Sequence, residues 1–285
     1  YCWDLCRTLI IYYSMKNYLA IVINRSSDQR RREHMEATLR RFKLNYRILK
    51  AVEGDELSDA ILSQYNQGAN EFGRNEIACS QSQIQAWREF LASSYEFCLV
   101  LEDDVLFWHE FEAFWGAFEV PKDRAEIWKL ETVKATCTIV RDSVCQFNNI
   151  KFHQLLSNHC GAGSYLVNRK TAEFLVQVSS DFKIMTDNEL FDPIHRNVPM
   201  CPILQAVPAP CIQDSEHSDS PLLATTLGDH RNLDRISRIN ITRRKYLSPL
   251  VSFVVSILLS YQGLKRIKIK NAPVGKVAEV AELVE

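Results

Sequence analysis

Two short stretches decide most of what this chain can fold into: "YLAIVIN" (residues 18 to 24) and "FCLVL" (97 to 101), each an apolar run with no alternation. A strand that is apolar on both faces must be covered on both faces, the situation of a strand inside an α/β sheet. Between them, "DQRRREHMEATLRRF" repeats Met35, Leu39 and Phe42 at helical spacing, with Ser26 or Ser27 expected as its cap. "YRILKAV" then reads as a second short strand that ends at the turn-like "EGDEL". Strand, helix and strand within about 35 residues predict a βαβ unit and a parallel sheet.

The next periodic segment, "NEIACSQSQIQAWREFLASS", carries Ile77, Ile84, Trp87 and Leu91 on one helical face and delivers the chain into "FCLVL". Downstream, "HEFEAFWGAF" predicts a helix and "EIWKLE" a strand. "GAGSYLVN" and "RKTAEFLVQVSS" predict a strand and a helix joined at Asn168. With 285 residues and 46% hydrophobic side chains, the chain can bury the core of one large domain or two small ones.

The formal net charge of -1 hides an asymmetry. From Arg231 onward there are 11 Lys and Arg against 4 Asp and Glu, while residues 1 to 230 carry 23 against 31. An acidic body gives no reason to expect a nucleic-acid partner. The nine cysteines are odd in number and form no CxxC pair, so they predict reduced, mostly buried thiols in a cytoplasmic protein. His159 and Cys160 are adjacent, and neighbours on an extended chain point to opposite faces, which favours a structural role for both.

Three segments follow from these contrasts. Residues 1 to 16 read as an N-terminal extension or artefact, because Met15 opens "MKNYLAIVINR" like a natural start. Residues 17 to 230 form the body, and 231 to 285 a basic and apolar tail expected to be helical. Within the tail "VSFVVSILLSYQGL" is shorter than the roughly 20 residues of a membrane-spanning helix. Ser248, Ser252, Ser256 and Ser260 recur along it at helical spacing, and basic runs flank it. Two readings stand: contact with the inner face of the cytoplasmic membrane, or a helix docked on the body.

At the end of "FCLVL" stand three consecutive acids, Glu102, Asp103 and Asp104. Ligands of open α/β sheets bind outside the carboxyl ends of the strands, so the triplet occupies the expected place for chemistry. Three adjacent carboxylates repel one another unless a cation compensates them, and Mg²⁺ or Mn²⁺ suits an oxygen-only donor set. On an extended chain Glu102 and Asp104 point to one side and Asp103 to the other, so Glu102 and Asp104 are the expected metal ligands.

This arrangement resembles the Asp-any-Asp motif of nucleotide-sugar glycosyltransferases, and the likeness extends along the chain. "INRSSDQRRREHM", "AVEGDEL", "NEIACSQSQIQAW", "LVLEDDV", "WKLE", "GAGSYLVNRKTAEFL" and "TDNELFDP", followed by the proline spacing of "QAVPAPCIQDSEHSDS", stand in the order of glycosyltransferase family 25. That family makes bacterial lipopolysaccharide and lipooligosaccharide, and collagen galactosyltransferases are related to it. The resemblance runs from about Asn17 to Ser220. Two positions depart from it: Glu53 replaces the usual Asp of the Ala-Val-Asp-Gly turn, and Gln83 stands where the family has His.

The resemblance implies an α/β fold of the GT-A nucleotide-diphospho-sugar transferase type, a Rossmann-like mixed sheet flanked by helices. It also implies inverting transfer of a hexose, most often galactose from UDP-galactose, to a saccharide or lipid-linked saccharide acceptor. An acceptor hydroxyl needs a general base; Asp187 is the first candidate, Asp192 the second and Glu131 the third, with helix N-capping the competing role for Asp187. Arg25, Glu53, Glu76, Ser82, Asp103 and Lys129 are expected around the donor. Arg30 and Arg31 share with Arg25 the alternative of a solvated helix face, Glu76 that of a cap and Ser82 that of plain surface. Lys129 and Glu131 are expected both to line the cleft or both to be exposed. His217 follows the proline run, where a late ligand to the metal or diphosphate is expected, against the competing role of a solvated loop histidine. Two other classes remain open, a non-catalytic saccharide-binding relative and a Mg²⁺-dependent phosphohydrolase.

Overall fold

In the computed structural model, residues 17–66, 72–121, 123–194, 196, 201–214 and 263–271 are described. The first apolar run is β1 (Tyr18–Asn24), buried at every position. It is followed by α1 (Gln29–Arg41), β2 (Asn45–Lys50), α2 (Asp59–Tyr65), α3 (Arg74–Leu91) and β3 (Phe97–Glu102). The residue before α1 is Asp28, whose side chain makes no capping bond, so neither Ser26 nor Ser27 serves as the expected cap. A 3₁₀ turn, Gly54–Glu56, occupies the predicted break after β2.

Next come β4 (Val105–Phe107), α4 (Phe111–Ala117), β5 (Ile127–Lys129), β6 (Thr136–Val140), β7 (Cys145–Phe147), β8 (Ile150–Gln154) and β9 (Ser164–Asn168). α5 (Arg169–Val178), α6 (Thr186–Phe191), β10 (Ile203–Val207), β11 (Cys211–Gln213) and β12 (Leu264–Lys268) complete the described elements. Asn168 joins β9 to α5 as predicted, and its side chain accepts the Thr171 N–H at 2.8 Å as an N-cap.

Eight strands form one sheet in the order β2-β1-β3-β9-β5-β10-β8-β7. The βαβ expectation holds, since β1 lies parallel to both β2 and β3. The sheet as a whole is mixed, because β9 runs antiparallel between β3 and β5. Alternate residues of β1 feed two cores. Leu19, Ile21 and Ile23 pack with Ile77, Trp87 and Phe90 of α3 and Leu175 of α5. Tyr18, Ala20 and Val22 pack with Met35 and Leu39 of α1 and Phe111, Phe114 and Trp115 of α4. Each fully buried large apolar side chain contributes about 1.5–3 kcal/mol, so helix layers on both faces repay the apolar runs.

The antiparallel course of β9 shapes the site. Its first residue, Ser164, pairs with Leu101 at the end of β3, and Tyr165 pairs with Lys129 at the end of β5. The Gly161–Gly163 loop therefore crosses the carboxyl ends of both strands.

Two small ribbons flank the main sheet. β11 pairs antiparallel with β4, which sets Gln213 opposite Val105. β12 pairs antiparallel with β6. The segment "KRIKIK", expected in a helical tail, is thus strand through Lys268 and extends past it onto the body: Ile269 is fully buried, and the Lys270 carbonyl accepts the Ala209 N–H at 2.9 Å. The cause lies in its alternation, which puts Ile267 and Ile269 inward while Arg266, Lys268 and Lys270 stay exposed. The expectations for residues 1 to 16 and for the apolar part of the tail lie outside the described residues. Among the described residues no helix is long and apolar enough to cross a membrane.

Candidate functional site

The acid triplet lies where β3 gives way to a tight turn into β4. Glu102 is the last residue of β3, its N–H donating to the Gly163 carbonyl at 2.8 Å. Gln213 Nε2 donates to a carboxylate oxygen of Glu102 and, at 3.4 Å, to Asp104 Oδ1. Asp103 turns the other way and is buried, accepting from Asn24 Nδ2 at 2.7 Å and Arg31 Nη1 at 2.8 Å. The triplet thus divides into a facing pair and a separate member as expected, but through the turn at Asp103 and Asp104 rather than through extended-chain alternation.

Arg31 also reaches Asp104 Oδ2 at 3.4 Å. Burial alone would lower the Arg31 pKa, but the Asp104 and Asp103 carboxylates outweigh it and raise the value above the ordinary arginine range. One half-buried guanidinium therefore compensates part of the triplet's charge. Two carboxylate oxygens, one each from Glu102 and Asp104, thus converge on the Gln213 amide nitrogen, while among the described residues no group of three or more His, Cys, Asp or Glu side chains is placed to hold a metal ion.

The residues expected around the donor take varied positions. Arg25 and Glu53, at the ends of β1 and β2, form an ion pair at 3.0 Å with both side chains half-buried. The longer acid at position 53 reaches this arginine. Arg30 is exposed on α1. Glu76 is exposed and closes the start of α3, accepting the Gly73 N–H at 2.7 Å. Ser82 is buried; it accepts the Val52 N–H at 2.9 Å and donates to the Ala78 carbonyl at 2.8 Å, tying α3 to the turn after β2.

Gln83, in the place of the family histidine, belongs to a buried relay. Trp87 Nε1 donates to the Tyr165 hydroxyl, which donates to Gln83 Oε1, both at 2.8 Å, and Gln83 Nε2 donates to the Ala162 carbonyl at 3.3 Å. Its amide thus braces the loop beneath the triplet.

The three candidate bases differ in access. Asp187 is half-buried in the first turn of α6; its Oδ1 accepts from the Asn188 N–H at 2.8 Å and its Oδ2 from the Gly161 N–H at 3.4 Å. Met185, not Asp187, is the N-cap, because "TDNELF" is itself the helix. Asp192 is buried and accepts from Asn158 Nδ2 at 2.8 Å.

Glu131 and Lys129 are both fully buried and paired at 3.1 Å, so they neither line the cleft nor face solvent. The loop 161–163 and the Phe191 ring cover them. His159 and Cys160 are likewise separate: His159 Nε2 lies 3.3 Å from Thr132 Oγ1, and Cys160 Sγ lies 3.1 Å from Asn188 Oδ1. His217 lies outside the described residues.

Two residues at the triplet were not singled out from the sequence. Asn24 is the polar end of an apolar strand, a signal that was available. Gln213 had none, since its place comes from the pairing of β11 with β4.

The sequence is similar to those of several known proteins. Lacto-N-neotetraose biosynthesis glycosyltransferase LgtE of Neisseria meningitidis is 26% identical over 226 residues, covering 75% of this chain and 80% of that protein. LgtB of the same species, also named for lacto-N-neotetraose biosynthesis, is 23% identical and covers 86% of this chain and 92% of its own. Procollagen galactosyltransferase 2 of Mus musculus is 29% identical over 120 residues, or 38% of this chain and 19% of that protein. The sequence profile of glycosyltransferase family 25 (LPS biosynthesis protein) matches residues 16–190, from the start of β1 to α6, and so contains the triplet, the glycine loop and Asp187. With most of the chain inside that match, this protein belongs to glycosyltransferase family 25.

Proposed function

We propose that the protein transfers a hexose, galactose from UDP-galactose, to a saccharide hydroxyl during lipooligosaccharide assembly, with inversion at the sugar carbon and a GT-A type fold. The observation that carries the reading is the convergence of the Glu102 and Asp104 carboxylates on one point at the carboxyl edge of the sheet, with Asp103 turned away to Asn24 and Arg31. Glu102 and Asp104 are the residues that would hold Mn²⁺ or Mg²⁺, and such an ion supplies neutralising charge for the departing diphosphate. Arg31 pairs with Asp103 at 2.8 Å and with Asp104 at 3.4 Å and so holds both carboxylates in place. Of the three candidate bases Asp187 is the most accessible, and the Gly161 and Asn188 N–H groups orient its carboxylate, which would take the acceptor proton.

The relatives' names support the sugar and the pathway class, since they include lacto-N-neotetraose biosynthesis enzymes and a procollagen galactosyltransferase. The test is to incubate the protein with a panel of UDP-sugars and Mn²⁺ and measure UDP release with and without truncated lipooligosaccharide. Acceptor-stimulated release from UDP-galactose, abolished by EDTA, is expected. Release that is unaffected by EDTA would remove the metal from the reading, and release from none of the donors would remove the donor class.

A further inference from the structure

Beneath the site lies a charged pair that touches no solvent. Lys129 and Glu131 are fully buried, and taking two ions out of water costs several kcal/mol each unless their bonds are well satisfied. Lys129 Nζ donates to Glu131 Oε1 at 3.1 Å and to the Gly161 carbonyl, and it stands 3.9 Å from the Phe191 ring centroid. Glu131 Oε1 also accepts the Gly163 N–H at 2.7 Å. Both ions thus bond to one three-residue loop.

That loop is shaped around the carboxylate. Gly161 has φ +99°, and a Cβ there would stand 3.0 Å from Glu131 Oε1 and 2.9 Å from Val133 Cγ1. A Cβ at Gly163 would fall well inside contact distance of Glu131 Oε2 and 3.0 Å from Gln213 Cγ. Only glycine fits at either position while Glu131 is present.

From its pinned centre the loop reaches two functional groups. The Gly163 carbonyl accepts the Glu102 N–H at 2.8 Å, and the Gly161 N–H meets Asp187 Oδ2 at 3.4 Å. We infer that the Lys129–Glu131 pair is a positioning device: it clamps the Gly161–Gly163 loop and so sets the spacing between Glu102 on the donor side and Asp187 on the acceptor side. The assignment of those sides rests on the proposed function; the clamp itself does not. Neither member of the pair is a catalytic residue, because neither reaches the surface.

The test uses two variants of the full chain and a third that rescues the second. Lys129→Met with Glu131→Gln removes both charges together and leaves no lone buried ion. Gly163→Ala keeps the pair but drives a methyl group against it, and adding Glu131→Asp to that variant restores room. Three readouts are taken: cooperative melting, amide hydrogen exchange at Gly163 and Glu102, and kcat separately from the donor KM. The clamp predicts that the double variant still melts cooperatively while both amides exchange at least about tenfold faster, with β1 unchanged. It further predicts that kcat falls about a hundredfold, as expected for a displacement near 1 Å, with the donor KM nearly constant. Glu131→Asp should recover at least about tenfold of the activity lost in Gly163→Ala.

A folded double variant with wild-type exchange at those amides would overturn the clamp, whatever the enzyme's substrate proves to be. Faster exchange with unchanged kcat would overturn the link to catalysis. Failure of both variants to fold would also overturn the proposal, because the pair would then hold the fold rather than the site. If the unaltered protein transfers no sugar, the proposed function fails and hydrogen exchange alone decides the clamp.

Discussion

Single residues around the sheet edge show how burial is compensated. Asp103 gains Asn24 and Arg31, Ser82 gains the Val52 N–H, and Gln83 closes a relay from Trp87. His159 is a different case. Burial, reinforced by the Lys129 ammonium, holds its pKa down at about 3 against 6.5 for a free imidazole. The unfolded chain therefore binds a proton that the folded one refuses. The associated stability is complete above pH 6.5 and is lost as pH falls toward 3. Between pH 7.5 and pH 5 this one group should cost about 2 kcal/mol. Urea unfolding at the two pH values should show that loss in the wild type and less of it in His159→Gln. An identical pH dependence in the two proteins would mean that His159 is solvated.

At the scale of elements, legibility followed apolar continuity. β1 and β3 were readable because every residue in them is apolar up to the edge, and the separation of Asp103 from its neighbours was legible too, although a turn rather than alternation produces it. β6, β7 and β8 were not readable, since runs of three to five residues with mixed burial carry too little pattern. Pro202, Pro208 and Pro210 interrupt the pattern that would have shown β10 and β11, and with them the route that brings Gln213 to Asp104 across 109 residues. The strand β12 was hidden inside a basic segment, yet it covers Thr132, whose hydroxyl donates to the Ile269 carbonyl at 3.1 Å. A chain truncated after Asn271 keeps β12, and one truncated before Gly263 lacks it. The second should melt several degrees below the first, because β6 loses its partner and the Ile269 contacts disappear. Equal melting of the two truncated chains would show that β12 contributes nothing to the body.

For the whole molecule, the mixed sheet gathers residues from distant parts of the chain onto one edge: Asn24 from β1, the triplet from β3, the glycine loop before β9 and Gln213 from β11. The protein belongs to glycosyltransferase family 25, and the central claim of the proposed function is that Asp104 on this edge is part of the donor site. The most direct measurement is acceptor-stimulated UDP release from UDP-galactose with Mn²⁺ by Asp104→Ala, with melting checked in parallel. Arg31 keeps Asp103 as a partner at 2.8 Å, so the variant should stay folded. Its rate should fall at least about a thousandfold, in line with losing a charge-stabilising group at the reacting centre. A folded Asp104→Ala protein with the wild-type rate would contradict the account.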